Sequence, residues 1–235
     1  MSKRIWWQEV RARSSALAYR AIRCHLWPVL FLWILFVLYP NPLNVGVSLY
    51  RAYQPDVDPL AVGELGEFPA EAASIDALVK AKVPYSYDWT VYGMPWYFPT
   101  TRLVVEQGRG DCKGRAIVLA SVLEAKDIPY GIISSPIHIW VEYEGKEETT
   151  LENEGVSFYK HDPETGERLF RLPDIPLRDV LDSSWSAFWE PMPVGRKLLL
   201  VSGIAGLVCA RVLLSRYGRK VLTIGRSYGN NRETS

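Results

Sequence analysis

Hydrophobic and polar positions divide this chain of 235 residues into three parts. Residues 26–50 carry no charged side chain, and residues 26–39 are almost continuously apolar. With the turn at Ala21 and Ile22, this run makes about 18–20 residues, the length a helix needs to cross a bilayer. Pro28 is tolerable near one end, and Pro40 and Pro42 stop the helix at the other. A second apolar run, residues 198–210, lies between Lys197 and Arg211. If Arg211 snorkels, residues 194–214 reach the same length. The pattern therefore predicts transmembrane helices over 26–42 and 194–214, and a folded domain over 51–191 between them.

Within the middle segment the period alternates between helical and extended. Ala72, Ile75, Leu78 and Val79 are spaced as on one helix face, predicting a helix within residues 69–83. Residues 85–99 are aromatic and turn-rich, which suits core and loop packing, with part of the stretch free to line a cleft. Thr100 or Thr101 can cap a short helix that ends at Gly108. Asp111 can cap the next, from Cys112 to about Lys126, with Ala116, Ile117, Leu119, Ala120 and Leu123 as its buried face. Residues 130–134 and 137–143 are β-branched and aromatic runs that read as adjacent strands, and residues 148–152 as a third. A helix packed across an antiparallel sheet is α+β architecture. Beyond that, residues 161–166 read as a turn and residues 178–189 as a short helix or an interfacial segment.

Charge adds topology. Residues 1–25 hold six Lys/Arg and one Glu, and so do residues 211–235; the stretch between holds 15 basic and 24 acidic residues. Basic ends around an acidic middle suit a two-pass protein of the cell membrane with both termini cytoplasmic and the middle domain outside. The basic N-terminal segment is long for a signal peptide and no small-x-small site follows it, so the first span reads as a retained anchor. Residues 215–235 read as a mobile basic cytoplasmic tail. An acidic middle also argues against nucleic acid as a partner.

The chemistry concentrates at Gly108-Arg109-Gly110-Asp111-Cys112 and at His138 in Pro136-Ile137-His138-Ile139-Trp140. Gly110 gives freedom for a tight turn, and Asp111 and the turn deliver Cys112 to a helix start. There the dipole favours a thiolate. A buried, inert thiol is the ordinary state of a lone cysteine. Cys112, however, is the only cysteine of the middle domain, since Cys24 and Cys209 fall at or in the apolar runs. Its position favours a nucleophile, with His138 as base. Alternation sets Ile137, Ile139 and Val141 on one face of a strand and His138 with Trp140 on the other. His25 and His161 have no evident role. The Cys112 backbone N–H is a natural oxyanion donor, and a second donor could come from residues 89–98 or from Gln107. No metal-ligand spacing and no nucleotide-binding loop is present, and no cofactor is implied.

These motifs also resemble a family. Gly-Arg-Gly-Asp-Cys followed by a helix, the turn Asp127-Ile128-Pro129, and then His138-x-Trp140-Val141-Glu142 is similar to the transglutaminase-like superfamily. The run Trp96-Tyr97-Phe98-Pro99-Thr100-Thr101 ahead of the cysteine turn belongs to the likeness, which covers about residues 85–155. It implies a papain-like core and acyl transfer through a thioester on a protein or peptide substrate. The expected outcome is hydrolysis of a peptide or amide bond, with protein cross-linking or a silent binding module in a membrane complex as alternatives. The family pattern places an Asp on the strand after the histidine to orient the imidazole. Here Glu152 aligns best with that position, and Asn153 is the alternative. The two would point to opposite faces of a strand.

Overall fold

A computed structural model describes residues 26–149, 152, 154–171 and 177–230. The chain forms two compact units, one being Asn41–Pro193 and the other the segments before and after it.

The Asn41–Pro193 unit is α+β. Helices α2 (Leu43–Tyr53), α3 (Ala72–Lys82), α4 (Asp88–Val91), α5 (Thr101–Gln107) and α6 (Cys112–Ala125) come first, with a 3₁₀ turn at Ala61–Leu65. Strands β1 (Tyr130–Ser134), β2 (Ile139–Tyr143), β3 (Tyr159–His161) and β4 (Arg168–Phe170) and helix α7 (Leu177–Phe188) follow. The strands make an antiparallel sheet in the order β2-β1-β3-β4. Helix α2 packs onto this unit: Ser48 is fully buried and Arg51 donates to the Tyr97 hydroxyl at 2.9 Å.

Helix α6 is the centre of this unit. It packs on β1 and β2 on one side and on α3 and α5 on others. The sequence suggested one buried face, but Val118, Ser121 and Val122 are buried as well, so the helix is enclosed nearly all round. A helix apolar on every side belongs inside a domain. The core around it includes Ile75, Val79, Val83, Val104, Ile117, Leu123 and Val141, all nearly inaccessible to solvent. Gly114 permits the closeness of α5, since a Cβ there would meet a Val104 methyl at 3.3 Å. Ser121 satisfies its hydroxyl by donating to the Ile117 carbonyl at 2.8 Å, which keeps a polar group tolerable in this core.

Two strand expectations are corrected. Residues 148–149 and 152 are not in a strand; Thr149 and Glu152 instead close a tight turn through reciprocal backbone bonds of 3.1 and 3.3 Å. The third strand is β3, which pairs with β1, so β2 lies at the sheet edge. His138 precedes β2 and sits in a turn, where its N–H donates to Ser135 Oγ at 2.9 Å and its carbonyl accepts from Ser135 N at 2.7 Å. The Ile139, Trp140 and Val141 side chains are all buried, which replaces the simple alternation read from the sequence.

In the other unit, helix α1 (Leu26–Leu38) and helix α8 (Val194–Asn230) meet. Trp33 Nε1 donates to the Leu199 carbonyl at 3.3 Å, and Arg196 donates to the Val37 carbonyl at 2.7 Å. The Arg211 guanidinium lies 4.6 Å from the Trp27 ring centre. The Trp33 indole fills the space where Gly203 lacks a side chain, whereas Gly206 faces nothing within 4 Å. Helix α8 continues through Asn230, so residues 215–230 are helical rather than an irregular tail. Among the described residues no single helix is long and apolar enough to cross a membrane. The N-terminal residues 1–25 lie outside the described part.

Candidate active site

The cysteine turn is built from local rules. Thr100 caps α5 by accepting from Leu103 N at 3.2 Å, and α5 ends on Gly108 in the left-handed region at φ 61°. Asp111 then caps α6, its Oδ1 accepting from Lys113 N at 3.0 Å and Gly114 N at 3.2 Å. Gly110 is required for space rather than for a left-handed φ: a Cβ there would meet the Gly114 Cα at 3.4 Å and Val104 and Val83 methyls beyond. Its backbone also clamps the preceding loop, donating to Pro84 O at 3.2 Å and accepting from Ser86 N at 2.9 Å. Cys112 is thus fixed at the first position of a buried helix, partly buried and free of any disulfide.

Beneath it lies a buried ionic cluster. The Lys113 ammonium touches the Asp111 carboxylate and lies 2.9 Å from Asp88 Oδ2, and all three side chains are at most about a tenth exposed. Asp88 Oδ2 also accepts from Tyr97 N at 2.7 Å, which ties the aromatic segment to the cysteine helix. Burial pushes Asp88 up to about 7, with Lys113 pulling the other way. Burial works against the Lys113 charge, but Asp111 and Asp88 outweigh it and hold the ammonium above its usual range. Groups this close titrate together rather than one by one.

Across the cleft, His138 Nε2 lies 2.7 Å from Glu152 Oε1. Cys112 lines the same cleft as the imidazole, and since Nε2 faces the carboxylate, Nδ1 is the nitrogen left for a thiol. Burial alone would lower His138; Cys112 and Glu152 outweigh it and push it up to about 9. The His138 bond, against some burial and with help from Lys146, holds Glu152 down at about 2. Lys146 Nζ bonds Glu152 Oε2 at 2.9 Å and the Val141 carbonyl at 2.7 Å, so the edge strand itself anchors the carboxylate. Trp140 stacks on the imidazole at 6.0 Å between ring centres and 13° between planes.

The groups surround a cleft of about 80 Å³ lined by Cys112, His138, Glu152, Trp140, Tyr85 and Arg115, among others. Of the residues singled out in the sequence, Cys112, His138 and Glu152 come together here, with Gly110 and Asp111 behind the thiol. Asn153 lies outside the described residues. His161, on β3, is not among the cleft-lining residues. Tyr85 belongs to the aromatic stretch expected to line the cleft in part, whereas Lys113, Lys146 and Asp88 carry weight that sequence reasoning missed. Lys113 alone had a signal: a lysine one residue into an apolar helix, next to an aspartate cap, must find buried partners. Among the described residues no group of three or more His, Cys, Asp or Glu side chains converges as a metal site would need. No protein-family model, curated protein or solved structure matches this chain.

Proposed function

We propose that this protein is a membrane-anchored, transglutaminase-like cysteine enzyme with a papain-like core that hydrolyses a peptide or amide bond outside the cytoplasm. The observation that carries the reading is the His138–Glu152 pair at 2.7 Å on the cleft that Cys112, at the start of α6, also lines. In the acylation step, Cys112 Sγ bonds to the carbonyl carbon and the π pair moves onto oxygen. Collapse of that intermediate breaks the C–N bond as the His138 imidazolium protonates the departing amine, leaving a thioester. Water then attacks, giving its proton to His138, and the C–S bond breaks to return the thiolate and release a carboxylic acid. Glu152 keeps the imidazole in one orientation and stabilises its charge throughout. An amine in place of water would make the same thioester a cross-linking intermediate.

The anchor rests on the helix pair of the other unit. Phe31 on α1 and Leu198 on α8 are 65% and 66% exposed, and Trp27, Leu32, Phe36, Val201 and Leu213 are exposed beside them. So many large apolar side chains facing outward from two paired helices suit lipid rather than water. The basic residues beyond both apolar runs suit two cytoplasmic ends.

The reaction is tested by mixing the full-length protein in detergent with p-nitrophenyl acetate and mapping the acyl group by mass spectrometry. A burst of nitrophenolate with acetyl on Cys112, lost in His138→Ala, is expected. A Cys112 that is never acetylated overturns the enzyme reading and leaves the domain as a binding module of a membrane complex.

A further inference from the structure

Acyl transfer needs a second donor for the carbonyl oxygen, beside the Cys112 backbone N–H. Gln107 is exposed at the end of α5, and neither it nor any residue of 89–98 is among those lining the cleft. Tyr85 is. The paired backbone bonds between residues 84–86 and Gly110 fix Tyr85 two residues' reach from the nucleophile. Its ring is held from two sides: edge-on to Tyr87 at 5.4 Å, and under the Arg115 guanidinium at 5.4 Å from the ring centre. Arg115 is itself immobilised, donating through Nε to the Val83 carbonyl at 2.9 Å. The residue is nonetheless 50% exposed, and it lines the open cleft.

We propose that the Tyr85 hydroxyl is the second oxyanion donor of this site, acting on the carbonyl oxygen of an acyl substrate as Cys112 attacks it. The inference rests on the acyl-transfer reading. While the C–S bond forms and the π pair moves onto oxygen, the Tyr85 O–H and the Cys112 N–H hydrogen-bond that oxygen and transfer no proton. The pair returns when the bond to the leaving group breaks. Burial first, and then the charges of Cys112 and Asp111, hold the Tyr85 hydroxyl above its usual pKa, which keeps it a donor at neutral and mildly alkaline pH.

The test compares two reactions of the same thiol in full-length Tyr85→Phe and wild type. Acetylation by p-nitrophenyl acetate passes through an oxyanion; alkylation by iodoacetamide does not. The expected result is a fall of about 100-fold in the acetylation rate constant, in the range for loss of one oxyanion donor, with alkylation within about twofold of wild type. Because phenylalanine keeps the ring, the unchanged alkylation rate also reports an intact site. Equal falls in both rates would mean that Tyr85 acts on the thiol, and no fall in either would mean that its hydroxyl is idle; each overturns the inference alone. If wild-type Cys112 is alkylated but never acetylated, the acyl-transfer reading fails first and the oxyanion role falls with it.

Discussion

His138 Nε2 and Glu152 Oε1 are 2.7 Å apart, although fourteen residues separate them and no strand carries the carboxylate. The contact depends on a turn closed by Thr149 and on Lys146, whose ammonium bonds the other carboxylate oxygen. Glutamate, one methylene longer than aspartate, fits because it reaches in from a loop.

Glu152→Gln keeps the shape and removes the charge. By analogy with the loss of a triad carboxylate, the Cys112 acetylation rate is expected to drop by about 10²–10⁴-fold. Asn153→Ala is expected to leave it within about twofold, because Nε2 already has its partner. Stopped-flow release of nitrophenolate measures both. A large effect at Asn153 with none at Glu152 would reverse the assignment.

The His138–Glu152 pair predicts a defined pH window for stability. The folded-state pKa of His138 is raised from 6.5 to about 9, so its contribution is complete below about pH 6.5 and lost as pH rises through 9. That of Glu152 is lowered from 4.5 to about 2, so its contribution is present above about pH 4.5 and lost as pH falls through 2. Urea midpoints of wild type and His138→Ala are therefore expected to differ most between about pH 4.5 and 6.5 and to converge toward alkaline pH. A difference that grows toward pH 9 contradicts the pairing.

Lys113→Met should be among the most damaging single substitutions in the domain. It leaves Asp88 and Asp111 buried without their cation, a loss on the order of 3–5 kcal/mol for a broken buried pair. Adding Asp88→Asn is expected to restore part of it, since the neutral amide needs no counter-charge. Equilibrium unfolding of the single and double variants provides the comparison; additive losses would mean that the two side chains are not coupled.

In the helix pair, Gly203→Leu drives a side chain into the Trp33 indole and is expected to separate α1 from α8. Gly206→Leu meets nothing and serves as control. Cross-linking between cysteines introduced on the two helices of full-length protein reports the separation. Protease added to intact cells is expected to digest the Asn41–Pro193 domain while a C-terminal tag stays protected. Digestion of the tag first would invert the topology.

The cysteine helix and its approach were legible because their signals are local. A threonine cap, a left-handed glycine and an aspartate cap act within a few residues, so α5, Gly108 and α6 can be read one after another. The same holds for the pairing of β1 with β2. The third strand was not legible: residues 148–152 carry threonine and alternation, but β1 pairs instead with β3, some ten residues further on. Strand partners are chosen by what the sheet can bury, and three-residue strands leave little pattern to read. Gly110 was read as a turn glycine, although its need is for space against α5 and α6, which exists only once those helices pack. Arg196 lies just before the second apolar run. Its bond to the last carbonyls of α1 gives that charge a partner.

What the sequence determined by itself is the composition of the site: a capped thiol at a helix start, a histidine after a Ser-Pro turn, and an acidic residue downstream. It determined as well the two apolar runs with their basic flanks, because hydropathy and charge sum along the chain without reference to partners. What only the tertiary structure decided is which groups meet. The choice of Glu152 depends on a turn and on the buried Lys146 ammonium. The approach of Tyr85 depends on two backbone bonds to Gly110, and the burial of Lys113 on a helix enclosed from all sides. Each is fixed by packing and by the need to pair buried charge, and neither requirement leaves a periodic mark on the sequence.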